Sequence, residues 1–197
     1  LYGPLIVTDN EPSENIRDIV LMADDWRLDA DWRFDEASIG SLHDWSHSGR
    51  LGNWLTVNGQ SRPEIPIPQT GLVRLRFVNA ANARVLSFQL SRRAPMQIIA
   101  LDGAPCIPFN VDTLRLGPAQ RADVIVEAGP DLGSLYEVTA GDNFEAARFV
   151  SKRVSESALG NISTSPWYPY PDTKDAKLIN IHMQGGAMGN LASAIFE

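Results

Sequence analysis

An all-β sandwich is the fold class this sequence predicts, and three observations carry it. Short apolar or alternating runs recur along most of the 197 residues; each is bounded by Gly, Pro, Asn or Asp; and no long amphipathic run with helical spacing competes with them. About seven or eight short strands in this rhythm suit two packed sheets. The length allows one large β domain, or one domain with an ordered extension, around a substantial core.

Arg17 to Met22 is the first convincing interior strand, expected to end at Ala23-Asp24-Asp25-Trp26, where paired carboxylates suit a turn or rim. Asp29 to Gly52 is polar, with Trp32, Phe34 and Trp45 spaced through it, and reads as a long loop with one helical turn. Trp54 to Val57 is β-rich and runs into an Asn58-Gly59 turn; the Pro63, Pro66 and Pro68 series then favours edge or connector backbone. Leu72 to Val78 alternates, with Val73, Leu75 and Phe77 on one face and Leu72, Arg74 and Arg76 on a wet one. Leu86 to Leu90 and Met96 to Leu101 are further strands, the latter stopped by a tight turn at Asp102-Gly103. Thr113 to Leu116 and Ala122 to Glu127 flank Gly117-Pro118, and Leu135 to Ala140 closes the set.

The ends differ from this pattern. The chain opens on Leu1 without Met and is already strand-like through Leu5-Ile6-Val7, which suggests a segment of a longer polypeptide. From Ser165, Pro166, Pro169 and Pro171 sit among Trp167, Tyr168 and Tyr170, a linker that packs on something; Lys177 to His182 reads as a terminal strand, and the Gly- and Met-rich Gln184 to Asn190 as mobile. The expected division is residues 1–165 as one domain, of which 1–10 are the tail of a preceding unit, and 166–197 as a linker toward a following one.

Composition excludes several classes of function. The hydrophobic share of 44% and charged share of 21% are those of a packed globular protein. A net charge of −7 with scattered Lys and Arg leaves no basic stripe for nucleic acid. No apolar run is long enough to span a membrane, and no targeting segment is visible. Cys106 is the lone cysteine, so neither a disulfide within the chain nor a cysteine-rich metal site is available. With no His or Lys nearby in the sequence to lower its pKa, it reads as an inert thiol.

Catalytic constellations are equally sparse. No Gly-X-Ser-X-Gly block or Gly-rich phosphate loop occurs. His43 and His47, four apart, would share one face of a helix and could hold a divalent ion with help from Asp44. Against that, Ser46, Ser48 and Gly49 disfavour a long helix, and the preferred reading makes them loop residues near Trp45. The acidic pairs Asp24/Asp25 and Asp29/Asp31 could orient a cationic or phenolic ligand, but solvated turn charge is the preferred reading. Arg74, Arg76, Arg84, Arg115 and Arg121 are expected to pair with carboxylates, Arg121 with Asp123 two residues on.

Seven blocks, in order, carry a family resemblance: Tyr2 to Val7, Asp25-Trp26, Gly49-Arg50-Leu51-Gly52-Asn53, Val57-Asn58-Gly59, Arg74 to Arg84, Ala100 to Pro105, and Leu114 to Val126. The ordered set resembles the middle cupredoxin-like domain of three-domain bacterial multicopper oxidases of the laccase and copper-resistance type. That resemblance implies a cupredoxin-like Greek-key β-sandwich with a C-terminal linker extension, flanking cupredoxin domains as partners, copper in the parent protein, a periplasmic or secreted location and an oligomer as one option for the parent. It also implies that the Asp24 and Asp25 carboxylates could wall a substrate channel and that Trp167, Tyr168 and Tyr170, with Trp26 and Trp54, could contact neighbouring domains.

The copper itself is not expected in this chain. A blue-copper centre needs a thiolate, two imidazoles and usually a weak thioether on one loop, but His182 and Met183 lie far from Cys106 in the sequence. The His-X-His pairs from which this family builds its trinuclear cluster do not occur. The expected role is a copper-free spacer, inactive alone. A copper-less structural or interaction relative and a stand-alone binding sandwich are the alternatives.

Overall fold

The computed structural model describes residues 3–7, 16–139, 141, 143–152, 166 and 169–181. Among them are strands β1 (Arg17–Trp26), β2 (Trp54–Val57), β3 (Glu64–Ile67), β4 (Leu72–Asn79), β5 (Leu86–Leu90) and β6 (Met96–Leu101). β7 (Ala104–Val111), β8 (Leu114–Leu116), β9 (Arg121–Glu127), β10 (Ser134–Glu137) and β11 (Phe144–Ser151) follow. They form a cupredoxin-like Greek-key sandwich of two mixed sheets, ordered β2-β1-β4-β9-β6-β7 and β3-β11-β10-β5-β8. β1 runs parallel to β4, and β3 parallel to β11. No helix among the described residues is long and apolar enough to cross a membrane.

Alternation places the core. Val73, Leu75 and Phe77 of β4 point inward beside Leu21 and Ala23 of β1 and Val124 and Val126 of β9, and meet Leu86, Phe88 and Leu90 of β5 from the other sheet. Phe77 and Phe88 join the sheets, ring centroids 5.4 Å apart. Each of the Val, Leu and Phe side chains gains roughly 1.5–3 kcal/mol on burial. A bulge between Ile98 and Ala100 turns Ile99 out of this core into a small second cluster with Ile125, Ile16 and Leu72.

Two turns confirm local sequence chemistry. Asn58-Gly59 and Asp102-Gly103 both take consecutive left-handed conformations, the geometry such pairs favour. Asp102-Gly103 closes the β6–β7 hairpin, whereas Asn58-Gly59 ends a strand of one sheet and sends the chain to β3 in the other.

Several sequence expectations are corrected. β1 does not end before the acidic pair but runs through it to Trp26, because β2 supplies ladder partners for Asp24, Asp25 and Trp26 beyond the point where pairing with β4 ends. Leu135 does not begin the last strand, since β11 follows. Its Glu-Ala-Ala-Arg segment favours helix locally, yet burial of Ala146 and Ala147 against the core overrides that preference. β7 is also additional; Pro105 and Pro108 mask it in the sequence but are tolerated at the sheet edge it occupies. Lys177 to Ile181 and Leu5-Ile6-Val7 are exposed and form no strand, having no ladder partner among the described residues. His182 and the Gln184 to Asn190 segment lie outside the described residues.

Candidate functional site

Parts of four blocks that carry the resemblance, at Asp25, Gly52, Asn79 to Arg84 and Leu116, meet at one end of the sandwich, where hydrogen bonds join them to one another. Asn79, fully buried at the end of β4, donates through Nδ2 to the carbonyls of Arg84 and Leu116, both at 2.9 Å, and accepts from the Ala81 amide at 2.9 Å. Its three bonds fix the turn that aims Arg84 at β1. Arg84 then donates from Nε to Asp25 Oδ2 at 2.8 Å and from a terminal nitrogen to the Gly52 carbonyl at 2.6 Å. Asp25 Oδ2 also accepts the Gly52 amide at 2.6 Å, while Oδ1 is buried without a hydrogen-bond partner. Gly52 is required by close approach, since a Cβ there would lie 2.6 Å from the Asp25 carbonyl carbon.

Other blocks are used in the same manner. Asn58 exchanges side-chain bonds with the backbone of Val20 and Met22, and Asn53 with that of Leu28. Gln120 accepts the Gly117 amide at 2.6 Å. These residues are donors and acceptors for backbone, and the hydrogen bonds they make account for their presence at these turns.

Beside this junction lies a cleft of about 130 Å³ lined by Asp24, Trp26, Phe34, Arg50 and Asn82 among others. Trp26 and Phe34 meet edge to face, centroids 6.3 Å apart, and Arg50 lies over the Phe34 ring while donating to the Asp35 carbonyl and the Ser38 hydroxyl. Trp26 Nε1 donates to Thr56 Oγ1 at 2.9 Å, which orients the indole. Burial pushes the Asp24 carboxyl up to about 6, assisted by the neighbouring Asp25 charge and opposed by a backbone hydrogen bond. The cleft thus combines two aromatic edges, a guanidinium and a carboxyl that titrates near neutrality.

The Asp24/Asp25 pair is not solvated turn charge. Asp24 and Asp25 are each 8% exposed, because the loop from Arg27 to Asn53 folds back over the end of β1. Asp29 behaves as expected of turn charge, accepting the Asp31 and Arg33 amides. Arg121 does not pair with Asp123: it donates to the Asp102 carbonyl at 2.7 Å, while Asp123 accepts from Arg76, which also binds Asp18. Cross-strand neighbours are closer partners here than residues two apart on one strand. Arg50 and Phe34 escaped the sequence reading, although Arg50 stands inside one of the motif blocks.

The remaining candidates are scattered. His43 and His47 lie on a short helix, α1 (Leu42–Ser46), and its cap, with Asp44 turned inward onto Arg27. Cys106 is buried in the core, and burial raises its thiol pKa. Tyr170 is exposed; Trp167 and Tyr168 lie outside the described residues. Among the described residues no group of three or more His, Cys, Asp and Glu is placed to hold a metal ion. Cys106 in the core and the exposed histidines of α1 do not make the thiolate–imidazole set that a blue-copper ion needs.

Comparison with known proteins assigns the family. Solved chains of similar fold include a multicopper oxidase from Pseudomonas thermotolerans, with a TM-score of 0.72 and 26% identity, covering 89% of this chain and 42% of that one. A laccase-like multicopper oxidase, CueO, from Ochrobactrum sp. has a TM-score of 0.68 and 27% identity, covering 85% and 38%. Cell division protein FtsP of Edwardsiella tarda is 37% identical over 113 residues, and that of Yersinia pestis 33% identical over 114. Each match takes in 57% of this chain, which spans only 23% of the length of either relative. The family model described as multicopper oxidase matches residues 17–159, and the chain belongs to that family.

Proposed function

We propose that this chain is the middle, copper-free domain of a multicopper oxidase, a spacer that holds the cupredoxin-like domains on either side in register. Residues 1–165 would make up that domain, with 1–10 the tail of the preceding one and 166–197 a linker to the next. The parent would take single electrons from phenols, amines or metal ions and reduce dioxygen to water, in a periplasmic or secreted setting. The observation that carries this reading is the use to which the motif residues are put: Asn79, Arg84, Asp25, Gly52 and Asn58 bond to one another or to backbone. They build a rigid end to the sandwich rather than a reaction centre. The cleft at Asp24, Trp26 and Phe34 supplies a chemically distinctive surface beside it, suited to walling a path for a phenolic or cationic substrate.

A second reading rests on the match to cell division protein FtsP, in which the same scaffold would serve assembly rather than oxidation. Copper analysis and dioxygen uptake with a phenolic substrate, on the full-length parent and on this chain, separate the two. The spacer reading expects copper and uptake in the parent and no turnover by the chain alone, even with Cu(II) added. A full-length parent that holds no copper favours the second reading. An intense blue charge-transfer band from the chain itself would overturn both.

A further inference from the structure

We propose that Ile39, Leu42 and Trp45 form the ridge by which this domain seats on an adjoining domain of the same polypeptide. The contact rests on the spacer reading, in which this chain is one domain of a longer protein. Helix α1 carries its amphipathic pattern reversed: its buried residue is Asp44, while Leu42 and Trp45 are 78% and 80% exposed. A surface helix ordinarily turns its apolar stripe inward and its charges to water. Here the Asp44 carboxylate receives two bonds from Arg27, at 2.8 and 3.1 Å, and that pairing fixes the rotation of the helix. Leu42 and Trp45, three residues apart and so on one side, are thereby held outward, and Ile39 in the preceding turn is 61% exposed.

The ridge is rigid as well as exposed. Arg27 Nε also donates to the Leu51 carbonyl at 2.9 Å, and the Asp44 carbonyl accepts the Gly49 amide at 3.1 Å. Ahead of the helix, Arg50 donates to the Asp35 carbonyl at 3.1 Å and to the Ser38 hydroxyl, which fixes the turn that presents Ile39. Side chains fixed in this way lose little freedom when covered, and tryptophan is among the residue types that most often anchor an interface. Burial of three large apolar side chains is the favourable step that a partner surface would complete.

The size of the relatives and the charge of the loop select the occupant. The multicopper oxidases from Pseudomonas thermotolerans and Ochrobactrum sp. match 89% and 85% of this chain but only 42% and 38% of their own length, so in each more than half the polypeptide lies outside the matched fold. A polypeptide of that size places folded protein beside this domain, and tethering holds the contact at high effective concentration. A membrane or a second copy is disfavoured by charge. Among residues 29–36 the exposed charges are Asp29, Asp31 and Glu36 against Arg33, and the whole chain carries −7, so anionic lipid and a like copy are both repelled. The complementary surface is an apolar socket for Trp45 with Lys or Arg at its rim.

The test is hydroxyl-radical footprinting of Trp45 by mass spectrometry, on this chain and on the full-length parent, with copper analysis of the latter. Trp45 should be oxidised at least about fivefold more slowly in the parent, since the centre of a packed interface excludes water. Leu42→Ser combined with Trp45→Ser should leave the chain's urea unfolding midpoint unchanged, whereas in the parent it should speed amide exchange of residues 39–46 toward the rate seen in the chain. Equal oxidation of Trp45 in chain and parent overturns the proposal. So does protection that the chain alone acquires at higher concentration or on anionic vesicles, which would place a second copy or a membrane on the ridge. Copper content keeps the two readings apart: a parent that holds copper and leaves Trp45 reactive sinks the contact alone, and a copper-free parent that protects it sinks the oxidase alone.

Discussion

Arginine–aspartate contacts occur on both faces of β1, and the two faces use them differently. On the inner face Arg84 reaches Asp25, whose side chain is 2% exposed, and the same carboxylate oxygen takes the Gly52 amide. On the outer face Arg76 bridges Asp18 of β1 and Asp123 of β9, with side chains 22%, 38% and 19% exposed. The inner contact ties three chain segments where water cannot substitute; the outer one decorates a sheet whose ladder already holds it. Residue types alone do not set the worth of an ion pair; what surrounds it does.

Removing the arginine from each face is the sharpest way to break that contrast. Arg84→Ala leaves a carboxylate buried without its countercharge and should cost about 3–5 kcal/mol in urea unfolding. If it costs no more than Arg76→Ala, the distinction between the faces fails. Gly52→Ala probes the same junction sterically, since its new Cβ would meet β1 backbone on a side where nothing flexible can yield. A loss of about 2 kcal/mol is expected in the same assay. Arg76→Ala should cost only about 1 kcal/mol, with the loss shrinking as salt is raised.

The smallest effect concerns the cleft. Asp24 binds its proton more tightly in the folded chain, at about 6 against an ordinary 3.8. Its contribution is therefore most favourable at acid pH and declines as pH rises from about 4 to about 6, levelling off above that. Asp24→Asn should remove that decline and raise stability at pH 7 by about 1 kcal/mol, the equivalent of a shift partly screened by water at the cleft mouth. Unfolding curves at pH 4 and pH 7 give the comparison, and an unchanged pH dependence would place the raised carboxyl elsewhere.

Legibility of the sequence varied by element for physical reasons. β4 and β9 were readable because alternation of apolar and polar residues is a local record of which face is buried. β7 and β11 were not, because prolines and helix-favouring residues obscure a strand whose existence depends on an edge position or on core burial. At the candidate site, Trp26 and the acidic pair are named by the sequence, but burial of Asp24 and Asp25 is not, because the covering loop is remote from β1 in sequence. Phe34 and Arg50 were missed because nothing local relates them to β1.

The sequence by itself determined the fold class, the turns at Asn58-Gly59 and Asp102-Gly103 and the family, since periodicity, left-handed turn chemistry and ordered motifs are properties of neighbouring residues. Its lone cysteine and three histidines, without a His-X-His pair, do not match the family's copper-ligand motifs. Tertiary structure decided what those residues do. Burial of Asp24 and Asp25, the partners of Arg76 and Arg121, and the stacking of His43 on His47 above a clamped helix all depend on segments distant in sequence. Desolvation and pairing are set by whatever the fold brings alongside, and no local pattern encodes that.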